Sequence, residues 1–598
     1  MSELPAEPAD RLYGTHGAPE ATYLDKVPNA TGDVDNSETM PADHVALPLA
    51  KESGVVRMEA IYANLDRPTF YLIFTGLLLA GYANGLDVLT RSTYQAYATA
   101  SYEQHSALAT VNVIKGVVAA AMQTLIAKLS DVFGRAELLG MVVASYVIGT
   151  IVQAAADGVA SFSVGAIFYQ IGSITTSLLQ QIIIADITSV RSRTFWMCIP
   201  DLGYIINVWI SGNVTESVLA TTSWRWGIGM WAIIFPVCSI LIIVSLMMAA
   251  RKAEKRGGRF PPRIYARGIN GMAREFFQKF DLIGVVLLSG ALAMVLIPLT
   301  LAGGTSSKWR SAGIITPLVL GGLCIPAFAF WERKASNPLV PAHLLKDRAV
   351  YCALAMSTCI PLAFTIQGDF LYTVLVVAFD FSIEGATRIA SVYNCVGMAF
   401  AALTGLLVRK IRRLKEVVLV GIALYFVAYG LLFHYRGGSG RSSRAGVLAA
   451  QLLLGFAGGM LANPVFISLQ TTAKHKHMAV VISLALTVNQ VGTALGNCIS
   501  GAIWTQTLYQ ELEKNMAPFH DDTLAASIYA DPFTAAATYA VGTPEREAII
   551  VSYRYIQKLL TITGICILVP ILAFAFGLRN PVLSDETTQP EAERKSDR

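Results

Sequence analysis

Among the ionisable side chains inside or near the ends of long apolar runs, six stand out as candidates for chemistry: Asp87, Lys115, Asp186, Asp201, Asp369 and Arg388. An ionised group in hydrocarbon is costly, so it is kept where it pairs, carries a proton or meets a cargo. Asp87 is the leading proton-coupling position, deep in the stretch Gly81-Tyr82-Ala83-Asn84-Gly85-Leu86-Asp87. A carboxyl shielded from water can exchange its proton in the working range of pH. Lys115, in the next apolar run, offers a second reading, a neutralising ion pair with Asp87. Asp186, Asp369 and Arg388 fall near run ends, where solvated or gate-locking roles compete. No Gly-x-x-x-x-Gly-Lys-Ser/Thr loop, nucleophile elbow or zinc-protease helix occurs, so neither an enzyme nor direct ATP use is expected. All eight cysteines lie in apolar runs, and no His/Cys/carboxylate cluster has ligand spacing. No resident metal or cofactor is expected.

The elements that must hold these groups are membrane helices. The chain of 598 residues is 54% hydrophobic and 15% charged, against about 25% charged in ordinary soluble domains. Mean hydropathy is +0.52. A span needs about 20 apolar residues, because only a helix satisfies its own backbone in lipid. Runs of that kind occur near 69–91, 107–127, 137–156, 159–186, 194–213, 227–249, 281–302, 312–331, 350–369, 386–408, 416–434, 446–469, 478–503 and 552–578. The expected fold is all-α, with about 14 transmembrane helices.

Loop charge orients the spans. With both tails cytosolic, the inner loops hold most Lys and Arg, nine of them between Arg251 and Lys279. The outer loops, with Arg436, Arg441 and Arg444 in one of them, hold fewer than half as many as the inner loops. This is the positive-inside pattern, and it explains the net charge of +5 without a nucleic-acid partner. The expected division is a cytosolic tail over 1–66, a six-helix bundle over 67–249, a basic loop over 250–280, two linking helices over 281–331, a second six-helix bundle over 332–579 and a tail over 580–598. The basic loop is expected to carry a short interfacial helix near Met272–Phe280. The second bundle contains a long outer loop, 504–551, rich in aromatics and acids, for which a lid and a passive connector are the two readings. Asn213-Val214-Thr215 is a glycosylation sequon placed in an outer loop.

Ala127-Lys128-Leu129-Ser130-Asp131-Val132-Phe133-Gly134-Arg135, between the second and third runs, resembles the loop motif Gly-x-Leu-x-Asp-x-x-Gly-Arg-Lys/Arg of the major facilitator superfamily. Asp131, Gly134 and Arg135 match it; Ala127 and Ala136 depart from it. The resemblance implies two helical bundles that rock about a central site, with the motif as a cytosolic gate.

A narrower resemblance, to the fungal siderophore–iron transporters, rests on several blocks. These are Asp87-x6-Tyr94-x2-Tyr97-Ala98, Ile182-Ile183-Ile184-Ala185-Asp186, Trp224-Arg225-Trp226-Gly227, Gly455-Phe456-Ala457-Gly458-Gly459, Gly496-Asn497-Cys498-Ile499-Ser500-Gly501 and Ser552-Tyr553-Arg554-Tyr555. The resemblance implies proton-coupled uptake of ferric siderophores, mostly hydroxamates, by a multi-pass protein of the plasma membrane or endosomal vesicles, with the bilayer, protons and the chelate as partners and the chain a monomer. Such a chelate is large and polar-skinned, and it needs a cavity of aromatic and amide groups rather than metal ligands. Tyr82, Asn84, Tyr94, Tyr97, Tyr204, Trp209 and Gln367 supply these groups, as do Tyr372, Tyr393, Asn394 and Asn489. Tyr553 and Tyr555 are expected at the outer entrance. The alternative is a proton-coupled exporter of drugs or glutathione; Trp196-Met197-Cys198-Ile199-Pro200-Asp201 lacks the Gly-x-x-x-Gly-Pro pattern of drug antiporters. A non-transporting nutrient sensor is the remoter alternative.

Overall fold

A computed structural model describes residues 65–188, 203–256, 281–335, 344–436, 441–472, 478–521 and 523–580, with a few single positions between them. Residues 1–57 and 581–598 of the two tails, the Met272–Phe280 stretch and Asp201 lie outside the described residues, as does the side chain of Asp131.

Every described element is helical. The first bundle comprises α1 (Arg67–Ser101), α2 (Leu108–Phe133), α3 (Arg135–Ala154), α4 (Val159–Ile187), α5 (Gly203–Thr221), the short α6 (Trp224–Gly229) and α7 (Trp231–Lys255). Two linking helices follow, α8 (Leu282–Leu301) and α9 (Ala312–Lys334). The second bundle comprises α10 (Arg348–Gly368), the short α11 (Leu371–Val377), α12 (Ile383–Ile411), α13 (Leu414–Tyr435), α14 (Arg441–Thr472), α15 (Met478–Met516), α16 (Leu524–Ala530), α17 (Pro532–Thr538) and α18 (Pro544–Gly577).

Among the described residues, 12 helices are long and apolar enough to cross a membrane. The expectation of about fourteen therefore stands as twelve by that measure. The fifth and thirteenth runs correspond to α5 and α15, which are helical but richer in polar residues: Asn207, Asn213, Thr215 and Glu216 in one, Asn489, Gln490 and Asn497 in the other. The linking pair is the most lipid-like part of the fold. In α9 only Ile314 and Gly321 are buried. Its partner α8 covers the seam between α2 and α15, where Thr300 meets Thr110 at 2.8 Å and Leu296 packs with Val113, Ala494 and Cys498.

Helices in lipid gain little from hydrophobic exclusion, so close van der Waals contact must hold them. Two glycines set that contact. A Cβ at Gly149 in α3 would overlap the backbone of Tyr169 in α4, and one at Gly496 in α15 would overlap Thr365 Oγ1 in α10.

The stretch expected as a long outer loop is mostly helix. α15 continues to Met516, α16 and α17 follow, and α18 begins at Pro544. The Asp531 carboxylate caps α17 by accepting from the amides of Phe533 (3.1 Å) and Thr534 (3.2 Å). Phe533 stacks on Tyr97 with centroids 4.4 Å apart, and its ring meets His105 at 5.4 Å. One apolar cluster joins this cap to the ends of α1, α2, α10, α11 and α15. The cap thus seals one end of the seam between bundles. At the same end Thr93 and Thr387 are 3.0 Å apart, and His105 Nε2 and Thr373 are 3.0 Å apart.

Gly405 in α12 has nothing within 4 Å of a built Cβ. Gly496→Val is expected to abolish the monodisperse peak in size-exclusion chromatography, since overpacking costs about 1–3 kcal/mol or more. Gly405→Val should elute as the parent does.

Candidate functional site

The site begins with the charges inside the helices. Asp87 does not pair with Lys115. Its partner is Arg91, one turn further along α1, whose Nε donates to Oδ1 at 2.9 Å. Positions i and i+4 share a helix face, so two helical turns suffice to build the pair. The hydroxyl of Tyr146 donates to the other carboxylate oxygen. Arg91 also donates to Gln153 Oε1 (2.7 Å) and Thr150 (3.3 Å), and its guanidinium lies 3.8 Å from the centroid of Tyr169. Asp87, Arg91, Tyr146, Tyr169, Thr150 and Gln153 are all buried. This network is closed: it ties α1 to α3 and α4 and neutralises itself.

Lys115 belongs to a second network, which crosses the seam. Its ammonium donates to Gln95 Oε1 at 3.1 Å. The same amide donates from Nε2 to Asn112 Oδ1 at 2.8 Å, and Asn112 Nδ2 donates to Asp369 Oδ1 at 2.5 Å. Ser500 of α15 donates to Oδ2 at 2.7 Å. A cation in the first bundle is thus joined to a carboxylate of the second through two amides, each donating and accepting in the same sense. Such chains polarise one another in a low-dielectric interior. Asp369 sits where α10 stops and before α11 resumes, with its own amide bonded to Thr365 O at 3.0 Å. Half-helix ends of this kind line transport sites in several membrane folds. Lys115, Asn112 and Asp369 all keep partial exposure, whereas Asp87 keeps none.

Asp186 closes the opposite end of the first bundle. Arg135 Nε donates to its carboxylate at 2.8 Å, and Arg135 Nη1 donates to Ser130 O at 2.9 Å. Gly134 takes φ +94°, the left-handed side that lets α2 turn directly into α3. Arg388 sits at the capped end instead, paired with Glu384 and donating to Asn213 Oδ1 at 2.6 Å. Asn213 therefore lies within α5, with its amide engaged, and not in a loop.

The aromatic and amide positions separate into groups. Asn84 bonds Ser173 and Ser177 inside the first bundle, and Asn207 bonds Tyr82 O. Tyr94 is buried, while Tyr82, Tyr97, Tyr204, Tyr393 and Asn489 are partly exposed. Tyr393 stacks on Phe364 at 3.8 Å and reaches Tyr425 at 3.3 Å. Asn489 lies 3.5 Å from Ser357 O, Asn394 is exposed, and Trp209 is 66% exposed. Tyr372 is buried beside Tyr97 under the cap. Tyr553 is buried edge-on against Trp504, whereas Tyr555 is exposed.

Gln367 serves a group that sequence reading had placed in an outer loop. Arg436 is buried at the end of α13, where Nη1 donates to Gln367 O (3.0 Å) and Gln557 Oε1 (2.7 Å), and Nη2 donates to Gln367 Oε1 (2.5 Å). Gln451 donates to that same oxygen at 3.0 Å. Among the described residues no group of three His, Cys, Asp or Glu side chains could hold a metal ion.

Removing one member of a buried pair strands the other, at about 3–5 kcal/mol. Asp87→Asn is expected to lower the thermal midpoint of the detergent-solubilised protein and its abundance in membranes. An unchanged midpoint would mean that the pair is not structural.

Comparison with known proteins agrees with this architecture. The family model described as Major Facilitator Superfamily matches residues 70–497. Siderophore iron transporter 1 of Saccharomyces cerevisiae is 42% identical over 548 residues, covering 89% of this chain and 85% of that protein. Siderophore iron transporter mirC of Emericella nidulans is 31% identical, covering 96% and 94%. Among solved structures, the peptide transporter POT aligns with TM-score 0.56 at 16% identity, over 87% of this chain and 99% of that one, a likeness of fold alone. With a two-bundle helical fold, its seam-crossing polar network and relatives of this identity over most of their length, the chain belongs to the major facilitator superfamily and, within it, to the fungal siderophore iron transporters, a family of carriers and not of enzymes.

Proposed function

We propose that the chain takes up ferric siderophores, of the hydroxamate type, in symport with protons, at the plasma membrane and in endosomal vesicles. The observation that carries the substrate class is the 42% identity, over 89% of the chain, to a protein named as a siderophore iron transporter. The iron is cargo. It arrives wrapped in its chelator, so the carrier must recognise the chelate's amide and hydroxamate skin. Partly exposed tyrosines and amides near the seam, Tyr82, Tyr204, Tyr393 and Asn489 among them, suit that task.

Proton coupling is assigned here to Asp369, in preference to Asp87. Asp87 is locked by a guanidinium and a phenol, so giving it a proton would strand Arg91. Asp369 faces only neutral donors directly, Asn112 and Ser500, with Lys115 two amides away. As a carboxylate it accepts from both and draws Asn112, and with it the first bundle, onto α10. Once protonated it accepts more weakly and has a proton to donate. The tie across the seam then loosens. The capped end can part, and the alternate end, held within the first bundle by Arg135 and Asp186, completes the rocking cycle. Lys115 holds the opposing charge, and its link through Gln95 lets each bundle report the other's state. The 504–551 cap, with Phe533 on Tyr97, is the outer seal that must lift before a chelate enters, and Tyr553 supports it from α18, whereas Tyr555 faces outward.

The test is uptake of radiolabelled iron from purified ferric hydroxamates in cells stripped of their own siderophore carriers. Uptake should be abolished by a protonophore. Asp369→Asn, matched for surface abundance, should lose at least about tenfold of accumulation against a gradient while still exchanging chelate across the membrane, since each 1.4 kcal/mol of lost coupling is tenfold. Accumulation at the parental level would remove Asp369 from the coupling mechanism. Failure to move any chelate, with the parent protein at the surface, would sink the substrate assignment.

A further inference from the structure

Beside the buried Arg436, the capped end of the second bundle carries an open groove of about 480 Å³ between α13, the start of α14 and α18. Phe433, His434, Tyr435, Ser442, Ser443, Arg554, Tyr555 and Lys558 line it, and none of them is a carboxylate. Lys558 lies over the Phe433 ring at 5.5 Å, and the buried Nη2 of Arg554 has no hydrogen-bond partner among the described residues. Behind the groove, Arg436 precedes no acid either. Its described acceptors are a carbonyl and two side-chain amides, and one of these, Gln557, neighbours Lys558 in the chain. A guanidinium bonded only to neutral groups stays positively charged, and its field adds to that of the lining cations.

The position of the groove identifies its occupant. On α18 the exposed residues Val551, Tyr555, Ile562, Val569 and Phe576 fall on one helical face, and Lys558 falls on the same face. On α13 Val420, Val427 and His434 repeat at seven residues, with the polar member nearest the helix end. Apolar exposed stripes of this length are the surfaces that meet acyl chains. Lys558 therefore stands on the capped side of the Ile562, Val569 and Phe576 stripe of α18, across the groove from the end of the α13 stripe, at headgroup height. A soluble anion would have no use for the stripes below.

We propose that this groove binds the phosphate of an anionic phospholipid, with Arg554 and Lys558 holding the headgroup, Ser442 and Ser443 donating to its oxygens, and the acyl chains lying along α13 and α18. The bound headgroup supplies the anion that Arg436 lacks within the protein. The site is separate from the seam and does not rest on the transport reading.

The test is native mass spectrometry of the full chain released from detergent. It compares phosphatidylinositol, phosphatidylcholine and inorganic phosphate as probes. The expected result is one retained phosphatidylinositol per chain, reduced at least tenfold in Arg554→Gln/Lys558→Gln and preserved in Lys558→Arg. Lys558 is exposed, so the single Lys558→Gln variant should stay folded and show an intermediate loss even if the double variant is unstable. Lys514→Gln, on the cap, should behave as the parent. Equal retention of phosphatidylcholine, unchanged retention in the variants, or displacement of the lipid by millimolar inorganic phosphate would overturn the proposal.

Discussion

The constraint on which this structure turns is the cost of an unaccompanied charge in hydrocarbon. Each ionisable group inside the helices has been given company, and the kind of company decides what the group can do. Asp87 has a full counter-charge one turn away and a phenol on its second oxygen. Arg436 has only amides and a carbonyl. Asp369 and Lys115 have a charge partner, but at the far end of a hydrogen-bonded relay. A pair in direct contact is a fastener, because changing either charge leaves the other uncompensated. A relay through amides is looser, because an amide tolerates both states of its neighbour. The same physics therefore makes one network a strut and leaves the other free to rearrange.

The placement of these networks follows from helix packing. α3 and α4 approach closely because glycines line their contact, Gly149 against Tyr169 and Gly172 against Tyr146, and the Asp87–Arg91 face of α1 is buried against the side chains of that pair. The seam between bundles is held differently. At the capped end it is joined by side chains, with Thr93 meeting Thr387 and Phe533 resting on Tyr97. Side-chain contacts between rigid bundles can part without disturbing either bundle's backbone. Glycine contacts occur on both sides of this division: Gly149 meets Tyr169 within the first bundle, and Gly116 meets Ala494 across the seam, so it is the polar ties that set the seam apart.

Much of this was legible in the chain. Apolar runs gave all the long helices, because length and composition decide what lipid accepts. The Gly134-Arg135 turn was legible because only a glycine takes that dihedral cheaply, but the pairing of Arg135 with Asp186 depends on how α2, α3 and α4 meet and emerges only in three dimensions. Less was legible where three-dimensional rotation matters. Arg91 stands four residues after Asp87, a spacing that names it as a partner, yet it fell at a run's edge and Lys115 was weighed instead. Asp369 looked interfacial because the run ends there; the chain in fact resumes as α11, which carries the carboxylate into the interior. Arg436 was read as loop because it follows the last apolar residue of its run. The 504–551 stretch was read as loop because its alanines and short polar breaks hide three helical pieces that are stabilised only by docking on α1, α11 and α15.

The two bundles, alike in outline, differ in how their arginines are balanced. In the first, Arg91 meets a carboxylate on its own helix, and Gln153 and Thr150 of α3 complete its shell. In the second, the guanidinium stands at the end of α13 and reaches back to Gln367 of α10 and Gln557 of α18, with no acid in its shell. The first arrangement is electrically closed and can sit anywhere in the hydrocarbon. The second leaves a net charge, so it is stable only near an edge where water or a headgroup can answer it, and that is where Arg436 lies. The asymmetry separates two roles: the Asp87–Arg91 pair is balanced within the first bundle, whereas the Lys115–Asp369 relay and the amide-bound Arg436 leave charges whose balance depends on what lies beyond their own helices.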